Sequence, residues 1–308
     1  MFTDLTGKRR YKICLHCHTS RSDGQLTYEE VLSSYARAGY DMLAVTDHWV
    51  WNDPGEYMGA LPDGTPQRLR IVSGCEYNVG SSETAAGVFH ILALDCPRKP
   101  NLNQQMCNDT RMSPVEKARI LIKEIHRAGG LAVLAHPAWS LNTPDQIFAL
   151  GDVDATEIYN SVSDWGMSDR PYAGIIVDQV AARGMCLPLI ATDDSHYYNG
   201  DQFRGMIMAE ATAVDREGLG EVIAEERFYA TMGPEVHLER VDANTVRVRC
   251  SPAVKIVFPS NLAWTAGRIL RGEGLTEALY TFKEEEHFVR AEAVDAEGRV
   301  GWSCIEIR

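Results

Sequence analysis

The chain has no apolar run approaching the ~20 residues that a membrane-spanning helix requires, although 45% of its 308 residues are hydrophobic. It has no excess of positive charge either. Its 43 acidic and 30 basic side chains give a formal net charge of −13. That balance excludes attraction of long nucleic acid through general electrostatics. It does not exclude a short oligonucleotide or mononucleotide held at bound cations, which dominate the field around them. The basic stretch Lys8-Arg9-Arg10 is too short to reverse this. Met1 to Lys12 is polar and lacks the hydrophobic region of a secretion signal. There is no internal repeat and no low-complexity tract. The expectation is a soluble, cytoplasmic protein without membrane association. Its eight cysteines then read as reduced thiols, not as a disulfide framework. Cys14 and Cys17 form a CxxC, but positions of opposite parity on a strand face opposite sides. Both read as packing residues, with Cys14 on the face of His16 and His18.

What the sequence does have, up to about residue 232, is an alternation of strand-like and helix-like segments. Strands are expected at Tyr11–Cys17, Asp41–Thr46, Leu69–Ser73, Val88–Leu94, Leu131–Ala135, Ala155–Tyr159, Cys186–Ala191 and Phe203–Glu210. Capping boxes at Thr27/Glu30 and Ser113/Glu116 open helices that run towards Gly39 and Gly129. Further helices are expected over about Ser168–Arg183 and Glu217–Glu226. Repeated βα units imply a parallel sheet with helices outside, and this number of strands suggests a barrel close to the TIM type. After Gly233-Pro234 the pattern changes to alternating, β-branched segments, with Asp295-Ala-Glu-Gly298 as a turn. The organisation expected is a barrel over residues 1–234 and a small all-β, sandwich-like module over residues 235–308.

Six of the nine histidines, His16, His18, His48, His90, His136 and His196, fall at or just past the ends of expected strands. In a parallel barrel those ends form one rim. His16 and His18 are at i and i+2, so both imidazoles project to one side. Asp23 follows in the turn Ser22-Asp23-Gly24, His48 ends the second strand, and Glu76 follows the third. Asp194 and His196 repeat the i, i+2 spacing. A single strand-end histidine is usually a hydrogen-bonded rim residue; six on one rim are a set. His126, at a helix end, reads as structural. Six imidazoles and at least three carboxylates exceed one coordination sphere and suit two or three divalent ions. Nitrogen and oxygen donors without thiolate fit Zn²⁺, Mn²⁺ or Fe²⁺.

The ordered series HxHT…SDG, TDH, GxE, an isolated histidine, AHP and DxH resembles the PHP (polymerase and histidinol phosphatase) family over about residues 11–210. The resemblance implies a distorted (β/α)₇ barrel in an α/β class. It also implies a metal cluster held by His16, His18, Asp23, His48, Glu76, His90, His136, Asp194 and His196, with Glu76 bridging two ions. The segment His287 to Trp302 is similar to the final hairpin of PHP hydrolases that carry an Ig-like sandwich after the barrel.

The activity expected is metal-dependent hydrolysis of phosphate esters, by a hydroxide held on a di- or trinuclear centre. Asp194 or His196 is the expected proton acceptor. Asn160 and Glu157, on one rim segment, and Arg204 are candidates for substrate contact. Asp193 is open to two readings, orienting a ligand or capping a turn. The substrate expected is a small phosphorylated molecule such as a nucleotide, a short oligonucleotide or a sugar phosphate. The same metals would serve a carboxyl- or carbamate-ester hydrolase. A non-catalytic, metal-binding regulatory module is the reading from a different class. The sequence does not assign an oligomeric state.

Overall fold

Helices Tyr28–Arg37 and Pro114–Arg127 begin where their capping boxes lie. The Thr27 hydroxyl accepts from the Glu30 N–H while the Glu30 carboxylate accepts from the Thr27 N–H, and Ser113 and Glu116 repeat the exchange. Each box covers backbone donors that the first turn would leave bare, an effect of about 1 kcal/mol per cap. A third box, Thr143 with Gln146, opens the short helix Pro144–Leu150. On Tyr28–Arg37 the buried residues are Val31, Leu32, Tyr35 and Ala36, a spacing that puts one apolar face against the sheet. The computed structural model describes residues 1–81 and 87–308. No helix among them is long and apolar enough to cross a membrane.

The class is mixed α/β, as expected, but the strands form open sheets and not a closed parallel barrel. A five-stranded sheet runs Leu189–Thr192, Ala155–Asn160, Leu131–Leu134, Val88–Leu94, Gly74–Gly80. A twelve-stranded sheet has Arg9–Cys14, Met42–Ala44 and Pro66–Val72 as its parallel part. Isolated bridges link the two sheets, Cys17 with Ser195, His48 with Glu76 and Asn52 with Gly74, and side chains of both share one apolar cluster. Pairing is antiparallel where Val88–Leu94 joins Gly74–Gly80 and Leu131–Leu134, and where Met206–Glu210 joins Arg9–Cys14. Val88–Leu94 and Leu131–Leu134 are buried on both faces and rich in apolar residues, so their sequences carry no mark of direction.

The C-terminal strands continue the larger sheet. Val300–Trp302 pairs with Phe228–Thr231 on one side and with Glu292–Val294 on the other. Trp302, Phe288 and Ile305 share an apolar cluster with Ile13, Leu92 and Ile190. Phe258 and Val248 share another with Leu43 and Tyr35. Full burial of each such side chain contributes about 1.5–3 kcal/mol, so the last strands are bound into the same core as the first.

All eight cysteines are unpaired thiols. Cys14 and Cys17 nevertheless enter the same apolar cluster, against the parity argument. Regular pairing of the strand stops at Cys14, and beyond it alternation no longer applies. The helix expected over Glu217–Glu226 is Leu219–Ala224, and Gly218, at φ +94°, separates it from a helix not expected from the sequence, Ala211–Glu217. The helix expected from Ser168 starts only at Gly174.

Near the N-terminus, buried Asp4 accepts from the Thr6 and Lys8 backbone N–H groups and from Arg10 Nε at 2.6 Å. Burial alone would raise its carboxyl; the hydrogen bonds from Thr6, Arg10 and Lys8 outweigh that and lower it from 3.8 to about 2. A carboxyl lowered in the fold stabilises it above the unfolded value of 3.8, and this is lost as pH falls through about 2. Asp4→Asn is therefore expected to cost roughly 2 kcal/mol near neutral pH. Urea unfolding checks it, because the difference from the parent should shrink by about half near pH 3.

Candidate metal centre

Beyond Cys14 the chain stays extended beside a second segment. The His18 N–H donates to the Ser195 carbonyl at 3.0 Å, and the Asp194 N–H to the His16 carbonyl at 2.9 Å. The two i, i+2 pairs, His16/His18 and Asp194/His196, therefore run side by side. A second junction aligns His48 with Glu76, through the Glu76 N–H to the Thr46 carbonyl at 3.1 Å and the Trp49 N–H to the Glu76 carbonyl at 3.0 Å. The antiparallel register then sets His90 opposite Asn78, with His90 Nδ1 2.7 Å from Glu76 Oε1. His136 lies two residues beyond Leu131–Leu134. Trp49, His136 and Asp194 all have positive φ (57°, 27° and 51°), so this rim concentrates left-handed backbone at residues that are not glycine.

Asp23 reaches the cluster on a tight return of the chain. The Gly24 N–H bonds the Thr19 carbonyl at 2.9 Å. A Cβ on Gly24 would lie 2.6 Å from the His18 carbonyl, so only glycine fits there. Asp47 fastens this loop by accepting from the Thr19 N–H at 2.7 Å and the Ser22 hydroxyl at 2.8 Å.

The groups that face one another are nearly all acceptors. Asp194 Oδ1 is 3.0 Å from both His16 Nε2 and His18 Nε2, which are 3.2 Å from each other. Glu76 Oε2 is 3.0 Å from His18 Nε2 and 3.3 Å from both His16 Nε2 and His48 Nδ1. Asp23 Oδ2 lies 3.5 Å from His196 Nε2 and 3.7 Å from His48 Nε2. The outer nitrogens orient the rings, and for His16 and His196, whose Nδ1 partners can only accept, they also place a proton on Nδ1. His16 Nδ1 is bound to Glu157 at 2.7 Å, His196 Nδ1 to the Asp194 carbonyl at 2.7 Å and His136 Nδ1 to Ser140 at 3.1 Å. His16 and His196 then present Nε2 as a lone pair to the interior. Asp194 Oδ1 and His48 Nδ1 are buried without a hydrogen-bond partner. Orphaned acceptors packed this closely fit a cation between them.

Three overlapping groups can each hold a cation: His18, Asp23, His48 and His196; His16, His18, Glu76 and Asp194; His48, Glu76 and His90. His136 stands outside these groups, its Nε2 3.2 Å from Glu76 Oε1. The titration of the cluster shows the same demand for positive charge. Burial opposes a charge on His16, but Asp194, Glu76 and Glu157 outweigh it and hold the ring well above its ordinary value. His18 behaves likewise and is pushed up to about 10 by Asp194 and Glu76. In His48 burial prevails and lowers the ring to about 4. Against the burial that would raise them, Glu76 and Asp194 are held well below the usual carboxylate range by the surrounding imidazoles.

Around this interior sits a layer whose members, Trp139 apart, the sequence singled out, but whose hydrogen-bond partners it did not identify. Glu157 is saturated: it accepts from His16 and Thr192 on Oε1 and from the His136 N–H and Asn160 on Oε2. Asn160 also donates to Asp194 Oδ2 at 3.1 Å. The sequence signal for Glu157 was its place on a strand leading to the rim, which suggested a substrate contact; its four protein hydrogen bonds make it a support for the ligands instead. Trp139 packs on His136 and His90, with ring centroids 4.9 and 5.5 Å away. Asp193 caps a turn, accepting from the Phe203, Arg204 and Gly205 N–H groups and from the Tyr35 hydroxyl. The Arg204 guanidinium pairs with Asp164 at 2.7 Å. His126 bonds Asp154 at 2.7 Å, which suits a structural residue.

Glu157→Gln would keep the shape but remove the charge that holds the His16 proton on Nδ1. The expected result is about 10- to 100-fold weaker binding of a divalent cation, with an unchanged circular dichroism spectrum. Titration with Zn²⁺ against a chromophoric chelator measures it.

No protein-family model matches the chain, and neither does any curated protein. Among solved structures, it is similar to a two-domain protein from Bacteroides vulgatus containing a predicted PHP-like metal-dependent phosphoesterase. The two are 13% identical, with a TM-score of 0.51, covering 99% of this chain and 98% of that one. The likeness shows a shared fold from end to end and agrees with the resemblance of the sequence motifs to the PHP family. A metal-dependent phosphoesterase from Bifidobacterium adolescentis, described as putative, covers 60% of this chain at 15% identity and TM-score 0.40. An amidohydrolase from Chromobacterium violaceum, with bound sulfate and no metal, covers 61% at 18% identity and TM-score 0.39. These two partial likenesses are too loose to bear on the fold.

Proposed function

We propose that this chain is a metal-dependent hydrolase of small phosphate esters, working on two or three divalent ions such as Zn²⁺, Mn²⁺ or Fe²⁺. The observation that supports this reading most is the ring of facing acceptors, His16, His18, Glu76 and Asp194, all within reach of one cation. The sets around Asp23 and around His90 would hold the others. Bound divalent ions supply acidified water and neutralise charge on a phosphoryl group. The chain's own residues do the positioning. Glu157 fixes the orientation of His16, and Asn160 that of Asp194. Of the two expected proton acceptors, His196 is the better placed. Its Nδ1 is committed to the Asp194 carbonyl, which leaves the Nε2 lone pair on the side of half-exposed Asp23. Asp194 is the poorer candidate, because its Oδ2 accepts from Asn160 and its Oδ1 is turned between the His16 and His18 rings as a cation ligand. The acidic chain favours a small substrate over a long polyanion.

Metal content and turnover on one purified sample test the reading, with p-nitrophenyl phosphate, bis-p-nitrophenyl phosphate and p-nitrophenyl acetate under added Mn²⁺. Two or three ions per chain and metal-dependent phosphate release are expected. Both should fall together in His18→Ala and Asp194→Ala while the fold survives. Acetate turnover alone would replace the phosphate reading with a carboxyl-ester one, and phosphatase activity retained in both variants would overturn the site.

A further inference from the structure

Away from the metal cluster, a cavity of about 600 Å³ opens between the rim and the C-terminal strands, lined by Tyr159, Tyr172 and Arg204 on one side and by Lys255, Glu292 and Trp302 on the other. That volume is in the range of roughly 300–1,000 Å³ typical of small-molecule sites. Trp302 stacks between two tyrosines, 5.5 Å from Tyr159 and 6.3 Å from Tyr172, with interplanar angles of 23° and 20°. Tyr159 and Trp302 are buried, whereas Tyr172, at the outer end of the stack, is 41% exposed. Exposed aromatic rings are usually free to turn. This one is fixed at its far end, because its hydroxyl donates to Glu292 and accepts from Arg290 Nη2 at 3.1 Å. The result is a flat ring held in place and open to solvent, which costs a ligand little ordering free energy.

The cavity lining carries three acids, Asp164, Glu292 and Glu297, and three bases, Arg204, Lys255 and Arg299, but they are not equally paired. Each of its acids is engaged: Asp164 with Arg204, Glu292 with Arg290, and Glu297 with Arg299. Lys255 has no ion-pair or hydrogen-bond partner among the described residues. The one lining charge left without a partner is therefore the Lys255 ammonium, on the cavity that also holds the fixed Tyr172 ring. We propose that this cavity binds a small, flat monoanion, an aromatic carboxylate being the simplest, with its ring continuing the stack at Tyr172 and its charge meeting Lys255.

Calorimetric titration of the intact chain with benzoate tests this directly and needs no catalytic activity. Cyclohexanecarboxylate, charged but not flat, and benzamide, flat but uncharged, separate the two contributions. Benzoate is expected to bind about tenfold more tightly than either. Tyr172→Leu should abolish the advantage over cyclohexanecarboxylate, and Lys255→Met the advantage over benzamide. The absence of saturable benzoate binding would overturn the proposal. So would binding that neither substitution changes, which would place the carboxylate elsewhere, on the metal cluster first of all. Because binding is read without turnover, either result leaves the hydrolase reading to its own assay.

Discussion

Glu76→Gln is expected to strip the centre of its cations and lower phosphate-ester turnover about 10²- to 10³-fold, with the fold retained. The reason is how many rings one carboxylate serves. Glu76 Oε2 lies within 3.3 Å of His16, His18 and His48, and Oε1 lies 2.7 Å from His90 and 3.2 Å from His136. Five of the six clustered imidazoles therefore depend on it. An amide has nearly the same shape, but it is neutral and puts N–H donors where a cation needs lone pairs. The fold should hold because strand pairing places the Glu76 backbone independently of its side chain. Without the carboxylate, the nearby rings can also release the protons it supports. Elemental analysis after dialysis and turnover under saturating Mn²⁺ are the readouts. Glu157→Gln, one layer out, should weaken binding without emptying the site, so the two variants rank the layers. An unchanged metal content in Glu76→Gln would show that the carboxylate does not hold the ions.

The histidines of this centre were legible because strand ends and i, i+2 spacing are local facts. His16/His18 and Asp194/His196 each declare a shared side within three residues. That the two pairs lie against each other, through the bridge between Cys17 and Ser195, is not local. Glu157 shows the limit more sharply. Its four hydrogen bonds come from His16, His136, Asn160 and Thr192, three of them from other segments of the chain. Arg204 shows it from the other direction. A lone arginine on the rim suits a phosphate, and its pairing with Asp164, 40 positions away, is a contact that no local pattern shows.

Much the same divides the fold. Helix starts were legible from the capping boxes at Thr27 and Ser113, whose partners are three residues off. Strand direction was not. Val88–Leu94 is buried throughout and reads the same whether its neighbours are parallel or antiparallel, which is why open, mixed sheets stand where repeated βα units implied a closed barrel. Glycine-rich Ile269–Thr281 looks like a poor strand, yet it pairs with Thr245–Val257, because a partner supplies what its own composition lacks.

The C-terminal strands are held to the helical side of the molecule by one buried cation, and Arg290→Met is expected to cost about 3 kcal/mol of unfolding free energy. Arg290 is fully buried. Its Nε and Nη2 grip Asp178, on helix Gly174–Ala181, at 2.7 and 2.9 Å. Its Nη1 meets Glu292 at 2.5 Å, and Nη2 also reaches the Tyr172 hydroxyl. Methionine fills similar space but leaves two carboxylates facing each other without their cation. Their side chains, 24% and 14% exposed, keep some water, so the cost stays at the lower end for a broken buried pair. Arg290→Lys should recover little, since one ammonium cannot span both carboxylates as a planar fork does. Adding Asp178→Asn to Arg290→Met should restore part of the loss, because it removes one of the two stranded charges. Urea unfolding of the single and double variants decides the matter. A loss below about 1 kcal/mol for Arg290→Met would mean that the apolar contacts of Phe288, Trp302 and Ile305 hold the last strands in place without the ion pair.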